Sequence, residues 1–405
     1  MARPRLEVAD IFREHGAAYV ASHRTALSPE QRKVMRALTA CRTAELGGHL
    51  DACGDCGHQR ISYNSCRNRH CPKCQSLESA RWLEERRAEL LPVRYFHLVF
   101  TLPAELAPLG LQNKRVIYNL LFSSASATLR RIAADPKHLG AEIGFLAVLH
   151  TWGQQLQHHP HLHCVVPGGG LSPDGKRWIN CRRGFFLPVR VLSRLFRRLF
   201  LEYLEQAFDR GRLRFHGRVE QLAEPAAFAR LICGLRRKEW VVYAKPPFGS
   251  PEKVLGYLGR YSHRVALSHD RLVRIEDGEV SFRWKDYRHE NRQRVMTLPA
   301  QEFIRRFLLH VLPEGFQRIR HYGWLSNRKV KEKLAQCRRL LGCEPPPAAT
   351  PTDYRRQYEE VTGLSLARCP ACNSSNWHRV EVLAPSLCAS TGHSARDDAA
   401  RLDSS

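Results

Sequence analysis

Cys53-Gly-Asp-Cys56 and Cys71-Pro-Lys-Cys74 are two short cysteine knuckles 14 residues apart. At that spacing four thiolates can meet one tetrahedral zinc. Cys41, His49, Cys66 and His70 are interleaved with them and form the candidate second zinc set. Cys369-Pro-Ala-Cys372 is half of another knuckle; Cys388 and His393 could complete it, with two free thiols as the alternative. A different chemistry lies in His158-His-Pro-His161-Leu-His163. In a strand, residues 161 and 163 share a face about 7 Å apart, and two imidazoles so placed can converge on one divalent metal. His150, at the end of a preceding apolar run, is the candidate third ligand, with Gln157 as its competitor. Tyr257-Leu-Gly-Arg-Tyr261 puts two phenols at i and i+4 of an expected helix, beside the cationic Arg260, His263 and Arg264. A phenolate is a competent nucleophile toward a metal-polarised phosphodiester.

These groups need elements to hold them. Tyr95 to Pro103, Gly144 to Trp152 and His161 to Val166 read as buried strands, the last two forming a hairpin with an eight-residue loop. Ser79 to Leu91, Val189 to Phe208, Phe303 to Leu312 and Asn327 to Leu341 carry helical periodicity. Ser250-Pro251-Glu252 has the form of a helix start, with serine as N-cap and proline at the first turn, and the helix should reach about His263. Gly256 and Gly259 inside it imply close approach of backbone or ligand. Asp277-Gly278 is the two-residue turn of a hairpin over Arg271 to Trp284. Gly170 to Lys176 approximates a phosphate loop, but Arg177 replaces the metal-holding hydroxyl, so a strand-connecting loop is the better reading. The aspartates fall mainly in turns or the tail, which argues against a three-carboxylate nuclease.

The 405 residues suffice for two or three domains with a proper core. Lysine and arginine number 64 against 39 acids, a net charge of +25, and such a surface attracts polyanions, nucleic acid first among them. Arg67, Arg69 and Lys73 crowd the zinc segment, and Lys245, Arg260 and Arg264 flank the tyrosines; all six are candidate DNA contacts. No apolar run is long enough to span a bilayer, and the cysteine spacing suits metal ligation in a reducing compartment. A cytoplasmic, nucleoid-associated protein with no membrane partner is expected.

Together the ordered motifs resemble the HUH endonuclease superfamily, with the metal histidines ahead of the tyrosines as in replication initiators and rolling-circle transposases. The closer resemblance is to the two-tyrosine transposases of bacterial insertion sequences, the insertion sequence ninety-one family, including their N-terminal zinc-binding domain. It rests on Cys41 to His49, Ser65 to Cys74, His150-Thr-Trp-Gly-Gln154, His159 to Gly168, Tyr257-Leu-Gly-Arg-Tyr-Ser-His-Arg264 and Arg318-Ile-Arg-His-Tyr-Gly323. Asn373 departs from it, standing where a glycine is expected after the C-terminal knuckle.

The resemblance implies a transposase that nicks and rejoins single-stranded DNA through a 5′-phosphotyrosine intermediate. Tyr257 and Tyr261 would be the nucleophiles and His161, His163 and His150 the ligands of Mg2+ or Mn2+. One or two Zn2+ would sit in the N-terminal module. No nucleotide cofactor is implied, and unwinding would fall to host replication factors. The same residues would serve a plasmid rolling-circle replication initiator, and a non-catalytic zinc-dependent DNA-binding protein is the alternative from another class. The expected fold is α+β. A helical lead-in (1–40) and a zinc-binding DNA-recognition module (41–90) precede an HUH core (91–300), an antiparallel sheet with helices on one face and a helical insertion near 189–235. C-terminal helices (301–343) and a proline-rich linker with a largely disordered tail (344–405) follow.

Overall fold

Gly144–Trp152 begins with eight buried residues, and His158–Pro167 is nearly as enclosed. Strands covered on both faces need partners on both edges, and these two take the middle of a sheet. The computed structural model describes residues 6–245, 253–254, 256, 259, 266–287, 289–344, 354–363 and 365–386. Packing divides the chain into two units, residues 1–39 with 67–364 and residues 40–66 with 365–405.

The strands are β1 (Gly48–Cys53), β2 (Gln59–Tyr63), β3 (Tyr95–Thr101), β4 (Gly144–Trp152), β5 (His158–Pro167), β6 (Gly169–Leu171) and β7 (Trp178–Asn180). They continue with β8 (Val242–Lys245), β9 (Leu272–Glu276), β10 (Glu279–Asp286), β11 (Arg292–Pro299), β12 (Ile319–Gly323) and β13 (Trp377–Leu383). The helices among the described residues are α1 (Val8–Ser22), α2 (Pro29–Ala40), α3 (Pro72–Arg87), α4 (Ala107–Gln112) and α5 (Lys114–Ala134). α6 (Val189–Asp209), α7 (Pro225–Arg237), α8 (Ala300–Leu309), α9 (Val330–Leu340) and α10 (Tyr354–Thr362) complete them.

The larger unit is built on a five-stranded sheet in the order β12-β4-β5-β3-β8, every pair antiparallel. Alternation along the strands sorts its two faces. Phe96, Leu98 and Phe100 of β3, Ala147 and Leu149 of β4, and Leu162 and Cys164 of β5 join the main core with α5 and α6. Tyr95, Leu146, Val148 and Val165 point the other way, onto Val254 and the half-buried Trp82 and Leu83 of α3. Helical residues therefore pack on both faces, which corrects the expectation of one. The second layer is α3, which starts at Pro72, directly after Cys71 and seven residues earlier than expected, and lays Trp82 and Leu83 against the second face.

Other elements follow the sequence more closely. β9 and β10 meet at Asp277 and Gly278, with φ of 54° and 73°, as a two-residue hairpin requires. β6 and β7 pair across the loop that mimics a phosphate site. The β4–β5 connection is five residues rather than eight, because β5 begins at His158 and Trp152 pairs with it.

The smaller unit is a three-stranded antiparallel sheet in the order β13-β1-β2. This corrects two boundaries. The module at 41–90 is divided, since α3 belongs to the larger unit, and residues 344–405 are not simply linker and tail. α10 runs beside α3, and β13 pairs with β1 along six residues from Gly48↔Leu383 to Cys53↔Trp377. The pairing itself is the reason: β1 has a buried edge to fill, and the C-terminal strand fills it.

Candidate active site

β4 and β5 bring three histidines together. Register sets His150 directly across from His161, and Val148 across from His163. All three imidazoles thus share one face with Val148 and Val165. Ring centroids are 5.5 Å apart for His150 and His161, 4.8 Å for His161 and His163, and 4.4 Å for His150 and His163. One nitrogen from each lies within 4.8 Å of the others. Gln157 is elsewhere, its Oε1 accepting from the Gln155 backbone N–H at 3.1 Å.

The donor set suits a divalent cation. His161 Nδ1 lies 2.7 Å from the His159 carbonyl, so Nδ1–H donates there and Nε2 keeps its lone pair. Burial pushes the His161 imidazole down to about 4, so it is neutral at physiological pH. His163 Nδ1 is 2.8 Å from Nε2 of His97, a buried residue of β3. His97 went unnoticed in the sequence. Its signal was a lone histidine in the apolar run Tyr-Phe-His-Leu-Val-Phe-Thr, at the strand parity that faces the other three.

Tyr257, Tyr261, Arg260 and Arg264 lie outside the described residues, as does the side chain of Lys245, whose backbone ends β8. The described residues around the tyrosines are helical at 253, 254, 256 and 259. Val254 is fully buried in the cluster on the histidine face, and the Gly259 carbonyl accepts from Ser79 Oγ at 2.9 Å. A Cβ on Gly259 would collide with Leu83, whereas one on Gly256 would meet nothing. Close approach therefore explains one glycine of the two.

The cysteines are regrouped relative to their sequence spacing. Within the smaller unit, Cys53 and Cys56 lie with Cys369 and Cys372. Neither His49 nor His70 takes part. His49 Nε2 sits 3.3 Å from Asp51 in β1. His70 Nε2 accepts from the Leu312 N–H at 3.2 Å, and burial holds its imidazole down to about 3. The C-terminal knuckle is completed by Cys53 and Cys56; Cys388 and His393 lie outside the described residues.

Two candidate DNA contacts are also engaged internally. Arg69 donates to the Phe316 and Pro313 carbonyls at 2.5 and 2.7 Å, and Lys73 pairs with Glu7 with its side chain mostly buried. Arg67 is exposed.

Sequence comparison places the chain among known families. A family described as "Putative transposase" matches residues 144–333, and one described as "Transposase zinc-binding domain" matches residues 11–102. "Putative transposase y4qJ" of Sinorhizobium fredii (strain NBRC 101917 / NGR234) is 64% identical over 385 residues, covering 94% of this chain and 96% of that one. "Transposase for insertion sequence element IS801" of Pseudomonas savastanoi pv. phaseolicola is 28% identical over 349 residues, covering 83% and 80%. No solved structure matches. The chain belongs to the transposases of the insertion sequence ninety-one family. No helix among the described residues is long and apolar enough to cross a membrane.

Proposed function

We propose that this transposase cleaves and rejoins single-stranded DNA through a 5′-phosphotyrosine intermediate, with Tyr257 and Tyr261 as nucleophiles and His150, His161 and His163 as the ligands of a divalent metal. The observation that carries the reading is the convergence of the three histidines on the sheet face that also packs Val254 and closely approaches Gly259 through α3. Mg2+ or Mn2+ held there would polarise the scissile phosphate as a Lewis acid.

The chain's own residues do the rest. The central strands hold the imidazoles oriented, and burial keeps that of His161 neutral. A phenolic oxygen forms the new bond to phosphorus while the bond to the 3′-oxygen breaks, leaving a free 3′-hydroxyl. The energy of the broken ester is kept in the phosphotyrosine, so rejoining to a second strand needs no nucleotide. Host factors or supercoiling would supply the unwound strand.

The test is a covalent-adduct assay on denaturing gels, using single-stranded DNA from both flanks of the gene, with manganese or with chelator. A metal-dependent adduct mapped by peptide mass spectrometry to Tyr257 or Tyr261, and lost in the matching phenylalanine variant, supports the mechanism. DNA that binds tightly yet never forms an adduct would favour a zinc-dependent binding protein.

A further inference from the structure

The knuckles at Cys53–Cys56 and Cys369–Cys372 are built alike although 313 residues separate Cys56 from Cys369. After the second cysteine of each comes a residue with positive φ, Gly57 at 73° and Asn373 at 62°. Asparagine is among the few side chains that adopt this conformation readily, so the departure at Asn373 preserves the turn. Gly57 N–H donates to the Cys53 carbonyl and Asn373 N–H to the Cys369 carbonyl, both at 2.9 Å. Cys53 N–H donates to the His58 carbonyl at 2.9 Å, and Cys369 N–H to the Ser374 carbonyl at 2.7 Å. Backbone N–H groups also face the sulfurs: Cys56 and Asp55 toward Cys53, His58 toward Cys56, and Ser374 toward Cys372.

The two knuckles face each other across the smaller unit. Cys53 Sγ is 3.6 Å from Cys372 Sγ, and Cys56 Sγ is 3.6 Å from Cys369 Sγ. A disulfide would require about 2.05 Å. Four sulfurs each about 2.3 Å from a tetrahedral zinc stand about 3.8 Å from one another, which these separations approach. The surroundings hold both knuckles in place. Gly54 N–H donates to the Asn376 carbonyl at 2.7 Å, and the Asn376 side chain donates to Asp55 at 2.8 Å. The Arg60 guanidinium covers the Trp377 ring at 4.2 Å, and Asp51 lies between Arg60 and Arg379.

We propose that Cys53, Cys56, Cys369 and Cys372 form a zinc site with one knuckle from each end of the chain, distinct from the site within residues 41–74. Half of its ligands lie outside the segment that matches the zinc-binding family. The C-terminal segment is then an integral part of the zinc unit: it supplies two thiolates and the strand that covers β1. The unit closes only in a chain synthesised to its last knuckle.

Metal content of the full-length protein tests this. Elemental analysis should find two zinc per chain, falling to one in the Cys369→Ser/Cys372→Ser double variant. A double variant that keeps the wild-type content overturns the site. Cobalt substitution provides a measurement independent of losing the fold. Cys372→His should retain metal while the absorption spectrum changes from that of two four-sulfur centres to one such centre plus a three-sulfur, one-nitrogen centre. A spectrum identical to wild type would also overturn the proposal.

Discussion

His97 Nε2 lies 2.8 Å from His163 Nδ1, and the two rings stack 3° from parallel with centroids 5.0 Å apart. The bond engages Nδ1 of His163 with β3, while one nitrogen each of His150, His161 and His163 lies within 4.8 Å of the others. Neighbours that orient a ligating histidine typically contribute about 10–100-fold to metal affinity. His97→Ala is therefore expected to weaken Mn2+ binding by about that factor, measured by calorimetry or by the electron-paramagnetic signal of free Mn2+. His97→Gln, which can still hydrogen-bond, should recover part of the loss. Unchanged Mn2+ affinity in His97→Ala, with only the melting temperature lowered, would reduce His97 to packing.

A second expectation concerns acid. Burial holds His70, His158 and His310 down to about 3, each neutral in the folded chain. His310 is the simplest case: Nε2–H donates to the Leu156 carbonyl at 3.0 Å, and Nδ1 accepts from the Thr151 hydroxyl at 3.1 Å. An unfolded histidine binds its proton near pH 6.5, so between about 6.5 and 3 the unfolded state carries protons that the folded state refuses. Stability should be level with respect to these groups above pH 6.5 and fall as pH drops below it. In urea titrations at pH 7, 6 and 5, His310→Asn should lower the proton dependence of unfolding by up to about one proton. Comparing it with wild type cancels any contribution from thiolates, and equal slopes would contradict the assignment.

The motif Arg318 to Gly323 is explained by packing at the edge of the sheet. Gly323, with φ of 62°, pairs with Gly144, and a Cβ on it would strike the Ile143 carbonyl. A Cβ on Gly144 would meet Trp324 at 2.5 Å. Left-handed backbone costs a non-glycine residue about 1–2 kcal/mol before any clash. Gly323→Ala should therefore destabilise by at least that amount in urea unfolding and loosen β12 from β4. A change below about 0.5 kcal/mol would show that the chain relaxes around the new methyl.

What the sequence disclosed and what it hid follow a pattern. β4 and the Asp277-Gly278 turn were legible because a continuous apolar run and a positive-φ dipeptide are local signals. β11 was not, since its first four residues are exposed and its place comes from pairing with β10. The three histidines were recoverable from strand parity. His97 was hidden because its partner lies 66 residues away. The cysteine sets were misassigned for a related reason. Cys53, Cys56, Cys71 and Cys74 satisfy the spacing for one zinc, and only the β1–β13 pairing reveals that the first knuckle faces the last.

The basic surface gives a last expectation. With a net charge of +25, much of the DNA affinity should come from counterion release, so affinity should fall linearly with salt on logarithmic axes. The slope should be steep, and shallower in Arg67→Ala, an exposed residue beside the cysteine clusters, by about one phosphate contact. Arg69→Ala should act differently. Its guanidinium holds the carbonyls of Pro313 and Phe316, so its loss should lower the melting temperature. Zinc chelation should weaken DNA binding while the larger unit, whose main core rests on the five-stranded sheet with α5 and α6, keeps its circular-dichroism signal. Fluorescence anisotropy across a salt series, with and without chelator, measures these terms. A slope indifferent to Arg67 and to zinc would move the DNA surface away from the cysteine-rich segment.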